Sequence, residues 1–247
     1  MKCGTLFLVI FLAASHAVGA PIVLTNATAT FSQVVPLDFG VSKTIDSIVT
    51  SPNGWAIDPN EVNQTAVYEI PSDPAGPAGA IFTFVMTQNL GTNHTLGRFR
   101  FSVTGDNPNT FADGLQTGGD VTANWTPVNP LTALATNGAL LTIQGDNSIL
   151  ASGPNPLTSV YTITAATFLN NITGLRLEVL EDPSLADSGP GEDGPGRQPL
   201  NGNFVLSELQ VDAVAVVPEP TTLSIFGIGT FFVLMWRRPS SCRHAFS

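Results

Sequence analysis

The sequence predicts an all-β fold, an antiparallel β-sandwich or jelly roll, flanked by an N-terminal signal helix and one short C-terminal transmembrane helix. Three observations carry the β reading. Short runs rich in Val, Ile, Phe and Thr alternate apolar and polar side chains with the period of a strand. Clusters of Gly, Asn, Asp and Pro separate these runs. No stretch of the body sustains the helical period over a useful length. Composition agrees: of 247 residues, 43% are hydrophobic and only 11% charged, which removes helix bundles and coiled coils.

In chain order, residues 1–20 come first and read as a secretory signal. Lys2 supplies the positive start and residues 6–14 the apolar run. Val18-Gly19-Ala20 provides small residues before a cut at Pro21, and Ser15-His16-Ala17 offers a second cut. The body follows over residues 21–215. Its strand-like runs are 80–87 (AIFTFVMT), 99–103 (FRFSV), 140–143 (LLTI), 159–164 (SVYTIT), 174–179 (GLRLEV) and 203–211 (NFVLSELQV). Gly105-Asp106-Asn107-Pro108 and Gly145-Asp146-Asn147 are turn clusters between them. Residues 106–120 hold little to bury, so two organisations stay open: one sandwich over 21–215, or two modules at 21–105 and 121–215.

The last segment, 216–247, is built differently. Val217-Pro218-Glu219-Pro220 precedes an apolar run at 221–236, then Arg237, Arg238 and Arg243. As a helix, that run spans about 24 Å at ~1.5 Å per residue, short of the ~30 Å hydrocarbon core but within reach of a thin bilayer. The arginines mark the cytoplasmic side, so the body faces out. The prolines keep the preceding segment out of a helix.

Charge divides along the same lines. The whole chain carries 19 acidic and 9 basic residues, a net −10. All 19 acids but only Lys43, Arg98, Arg100, Arg176 and Arg197 among the bases lie within 21–220, which leaves that stretch at −14. Such a surface excludes nucleic-acid binding of the basic-patch kind. Both cysteines, Cys3 and Cys242, fall in the end segments, so the body folds without a disulfide and depends on its core or on bound ions.

Few chemistries survive inspection. His94 is the body's only histidine, and it sits in a turn, with no Gly-x-Ser-x-Gly elbow to complete a triad. Zinc, haem and iron–sulfur ligation lack ligands, and no phosphate-binding Gly-Lys loop is present. Glu178 and Glu208 lie on strands, and their expected role is a solvated face or an ion pair with Arg176 or Arg197. The acidic loop 181–194 is the best candidate for a hard cation, with Asp182, Asp187, Glu192 and Asp193 as calcium ligands, set against a plain polar connection. Trp55 and Trp125 are the candidate aromatic platforms for a sugar ring, set against core packing.

The tail, with Pro218-Glu219-Pro220, one apolar span and terminal arginines Arg237 and Arg238, resembles a PEP-CTERM sorting segment. That resemblance implies export, an inner-membrane stage and processing near the Pro-Glu-Pro motif by an exosortase-type enzyme, in a bacterium that makes exopolysaccharide. The nine residues after Arg238 are a longer end than the family pattern. Within the body, residues 26–33, 54–59, 94–103, 174–180, 194–197 and 201–208 look like the discoidin-like, galactose-binding-type sandwiches of secreted bacterial proteins. Those proteins often add cytochrome-like domains, and the Cys-x-x-Cys-His such a domain needs is absent here. Together these readings lead to an exported, non-enzymatic protein of the cell envelope or matrix, adhesive or structural and contacting polysaccharide. The alternatives are a secreted glycan-active enzyme and a single-pass surface protein without a ligand.

Overall fold

The computed structural model describes residues 19–185, 194–199 and 201–218. The signal segment up to residue 18 and the tail from residue 219, with the apolar span 221–236, lie outside them. Among the described residues no helix is long and apolar enough to cross a membrane. The strands are β1 (Ala20–Pro21), β2 (Thr25–Ala29), β3 (Gln64–Glu69), β4 (Ala80–Gln88), β5 (Arg98–Thr104), β6 (Thr126–Pro127), β7 (Asn129–Ala135), β8 (Leu140–Ile143), β9 (Ile149–Ser152), β10 (Ser159–Thr167), β11 (Gly174–Leu180) and β12 (Glu208–Ala215). Among the described residues helix is limited to two short 3-10 turns, Val41–Ile45 and Pro108–Thr110.

The strands form two sheets, and every named pairing is antiparallel. A five-stranded sheet has the order β1-β12-β4-β10-β7. A seven-stranded sheet has the order β2-β3-β11-β5-β9-β8, with β6 added to β5. Alternation decides which face each strand buries. In β4, Phe82, Phe84 and Met86 are fully buried while Ile81, Thr83, Val85 and Thr87 point the other way. In β10 the same parity buries Tyr161, Ile163 and Ala165.

An aromatic column joins the sheets. Phe84 of the first sheet stacks on Phe101 of the second at 4.0 Å between ring centroids. Phe82 continues it at 5.5 Å, and Phe99 lies 6.1 Å from Phe101 and 6.0 Å from Tyr161. The Tyr161 hydroxyl donates to Leu96 O at 3.0 Å, which satisfies the one polar atom this ring brings inside.

The division into modules 21–105 and 121–215 does not hold. Residues through Val216 form one compact unit, and each sheet takes strands from both sides of the proposed boundary. Residues 106–120 are no linker either. Ala29 N donates to Leu115 O at 2.9 Å, and Gly118 N and Gly119 N donate to Thr30 O and Ala29 O. Asp113 turns the chain by accepting from Leu115 N and Asp120 N. Phe111, fully buried, pins the start of the segment.

The 203–211 run is also shorter as a strand than its pattern suggests. Its first half is held by separate contacts instead: Trp55 and Leu206 exchange both backbone hydrogen bonds, and Val205 N donates to His94 O. Gly196 N donates to Gly202 O. A Cβ on Gly196 would strike Asn203, so glycine is required there by close backbone approach. Phe84→Ala removes the centre of the aromatic column, and urea unfolding should show a loss of about 3–5 kcal/mol. Reductant should leave the wild-type midpoint unmoved, because no cysteine lies in the compact unit's described residues.

Candidate functional site

The first site is the point where the sorting motif leaves the fold. β12 ends at Ala215, and Val216 is still tied down: its N–H donates to Gly79 O at 2.9 Å and its carbonyl accepts from Ala78 N at 3.1 Å. Gly76 and Gly79 make the turn that does this. Gly79 has a φ of 97°, and a Cβ there would collide with Thr167 O. The next residue, Val217, is 68% exposed, and Pro218 belongs to no element. Among the described residues, Val216 is the last that a backbone hydrogen bond ties to the sandwich, and Val217 and Pro218 follow it. Glu219, Pro220, Arg237 and Arg238 lie outside the described residues.

The second site is the outer face of the seven-stranded sheet. Alternation on β5 and β11 sends Arg98, Arg100, Arg176 and Glu178 outward, and the register sets Arg100 opposite Glu178 and Arg176 opposite Ser102. Arg100 grips Glu178 through both arms, Nε to Oε2 at 2.8 Å and NH2 to Oε1 at 3.1 Å. Arg176 NH2 lies 3.0 Å from Glu178 Oε2 and donates to Ser102 Oγ. Its Nε is buried without an acceptor. The hydrogen bond from Arg100 to Glu178 raises the guanidinium's pKa, while burial lowers that of Arg176. Arg98 reaches Asp146 at 2.8 Å and Asp182 at 3.3 Å. Asp146 is held down at about 2, first by the Ser148 hydroxyl and further by Ser148 N and Arg98.

Trp125 belongs to this face. It is half-buried, its Nε1 donates to Val121 O at 2.8 Å, and its ring meets Phe111 edge-on at 5.1 Å. The Arg176 guanidinium carbon sits 5.3 Å from the ring centroid. Trp55 is elsewhere and cannot serve as a platform. It is fully buried, donates from Nε1 to Phe31 O at 3.0 Å and packs edge-on against Phe204 at 5.1 Å. A sugar ring has no access to it.

Of the four calcium candidates, Asp182 alone is described. Its Oδ2 faces Arg98, and its Oδ1 accepts from Ser184 N and Oγ. Both oxygens are thus spent on capping a turn and pairing an arginine. Asp187, Glu192 and Asp193 lie outside the described residues. Among those described, no group of three His, Cys, Asp or Glu side chains could hold a metal. His94 Nδ1 lies 2.8 Å from both Thr92 O and Thr92 Oγ1, and burial lowers its pKa. It is a turn residue, as its sequence context suggests.

Glu208 departs from expectation. Glu178 does pair with Arg176, but Glu208 pairs with no arginine among the described residues and is only 4% exposed. Its Oε2 accepts from Ser47 N at 3.1 Å, in a groove of about 430 Å³ that Ile22, Leu24, Ile45 and Asp212 help to line. Burial raises its pKa to about 7, with the Asp46 charge adding to the effect. Strand parity alone points Glu208 outward. What covers it is the turn at 45–47, a contact across 161 positions that no local pattern reveals.

A buried acid of this kind binds its proton more tightly in the fold than in the unfolded chain. Its contribution to stability is full below the ordinary value of 4.5 and is lost as pH rises through about 7. Glu208→Gln should therefore leave Tm unchanged near pH 5 and raise it by at least about 2 °C above pH 8, read by thermal melts across pH.

Comparison with known proteins bears on the tail and the body separately. The model of the PEP-CTERM protein-sorting motif matches residues 216–238. Among solved structures, a chain of the Streptococcus pneumoniae beta-galactosidase BgaA is 13% identical, over 78% of this chain and 98% of its own, at a TM-score of 0.43. No curated protein matches the chain. The chain therefore carries a PEP-CTERM sorting motif at residues 216–238, which makes it an exported protein.

Proposed function

We propose that the protein is a non-catalytic component of the cell envelope or extracellular matrix, adhesive or structural in its work, released from the membrane by an exosortase-type enzyme. The observation that carries this reading is the position of the motif. Its first matched residue, Val216, is held by the hydrogen bonds of the Gly76–Gly79 turn, and Val217 beyond it is exposed, so the Pro-Glu-Pro residues follow directly on the end of the sandwich. Cutting there frees a sandwich that keeps its whole described core. The non-catalytic part rests on the side chains: His94 is bound into its own turn, and the carboxylates on the sheet face are locked into arginine pairs rather than facing each other across a cleft.

The outer face of the seven-stranded sheet is the surface best suited to a polysaccharide. Its guanidinium groups are held in fixed forks, and half-buried Trp125 adds aromatic surface. Affinity electrophoresis in gels cast with the producing organism's own exopolysaccharide tests it: the wild type should be retarded, and Trp125→Ala should run free. Equal mobility of the two would remove Trp125 from the reading. Release of reducing sugar by the purified protein would overturn the non-catalytic assignment. Mass spectrometry of the mature protein should find a C-terminus near Glu219, without Arg237 and Arg238.

A further inference from the structure

The two outer faces of the sandwich are unlike. The seven-stranded sheet presents arginines and carboxylates, whereas the five-stranded sheet presents almost no charge. β4, β7 and β10 contain no ionisable side chain except Tyr161, which is buried. Their outward residues fall into rows set by the register. One row is Thr132, Thr164 and Thr83, ending at Asp212 on β12. The next is Leu134, Thr162, Val85 and Gln210, and a third is Val160 and Thr87, closed at Glu208 by the turn at 45–47. Ala166, Ile81 and Val214 complete the face. Leu134 is 65% exposed and Ile81 38%. Asp212 is the carboxylate left on the open face, and it stands on β12, at one margin, where Glu208 lies buried under the turn at 45–47.

In a body of charge −14, an unbroken uncharged face this size calls for an explanation. We propose that it is the contact between two copies of this chain, packed face to face about a twofold axis; this rests on the structural role proposed above. Charge selects the occupant. On this face threonine methyls and aliphatic side chains of two copies meet without bringing charges together, with Asp212 of each copy kept to one edge. Area permits it. Four strands at ~4.8 Å spacing and about 27 Å long give a footprint of about 500 Å² per copy, or about 1,000 Å² for the pair, the size at which specific contacts begin.

The test is sedimentation velocity on the mature protein across concentration. The wild type should move as a dimer. Thr162→Glu, in the middle of the face, should convert it to a monomer with the same far-UV circular dichroism and Tm. Mixing Thr162→Glu with Thr162→Lys should restore a dimer, an outcome that a folding defect could not give. A wild type that stays monomeric at every concentration overturns the proposal. So does a monomer whose uncharged face instead binds a neutral glycan, judged by loss of that binding in Thr162→Glu. If export or processing fails, the full chain in detergent gives the same readout, so the two readings fail separately.

Discussion

The stacked pair Phe84–Phe101 is the contact on which the rest of the molecule depends. The body has no cysteine, so its two sheets are held together by what lies between them. Phe84 sits on the middle strand of one sheet and Phe101 in the interior of the other, 4.0 Å apart between centroids. Around them Phe82, Phe99 and Tyr161 extend the aromatic contact along the interface. Burial of such rings supplies the area-dependent stabilisation that a disulfide-bonded secreted domain obtains partly from its cross-links. It also fixes parity: once these rings face inward, every neighbour on β4, β5 and β10 has its direction decided.

That parity makes the two outer faces. On β5 and β11 it sends Arg98, Arg100, Arg176 and Glu178 out, and on β4 and β10 it sends threonines and valines out. One alternating rule applied to different sequences therefore gives a charged, rigidly paired face and an uncharged one. The same geometry delivers the chain end. β12 runs beside β4, and the Gly76–Gly79 turn holds Val216 against the sheet up to the first residue of the sorting motif.

Much of this was legible in the sequence because it is local. The runs at 80–87, 99–103, 140–143, 159–164 and 174–179 all lie within strands, and in all but 140–143, where no residue is buried, the alternation that identified them is the alternation that buries them. The tail motif was legible for the same reason. β3 and β7 were not recognised: Gln64–Glu69 opens on a buried glutamine, and Pro130 interrupts β7, which pairs with β10 alone. The segment 106–120 reads as a candidate module boundary because many of its fixing contacts are backbone hydrogen bonds to Ala29 and Thr30, which leave no hydrophobic pattern. For Trp55 the sequence leaves a platform and core packing both open, because nothing local shows that Phe204 covers it; the structure gives core packing. Asn93 and Asn171 each take a positive φ at a bend, and Asn26 takes one at the irregularity in β2 between Thr25 and Thr28.

The central claim is that the C-terminal motif governs where this sandwich ends up. It is tested most directly by fractionating cells that carry the chain with Pro218, Glu219 and Pro220 all replaced by alanine. The account predicts that the wild-type body appears outside the inner membrane, whereas the variant, equally folded by protease resistance, stays with the inner-membrane fraction. Release of the variant body to the exterior at the wild-type rate would contradict it.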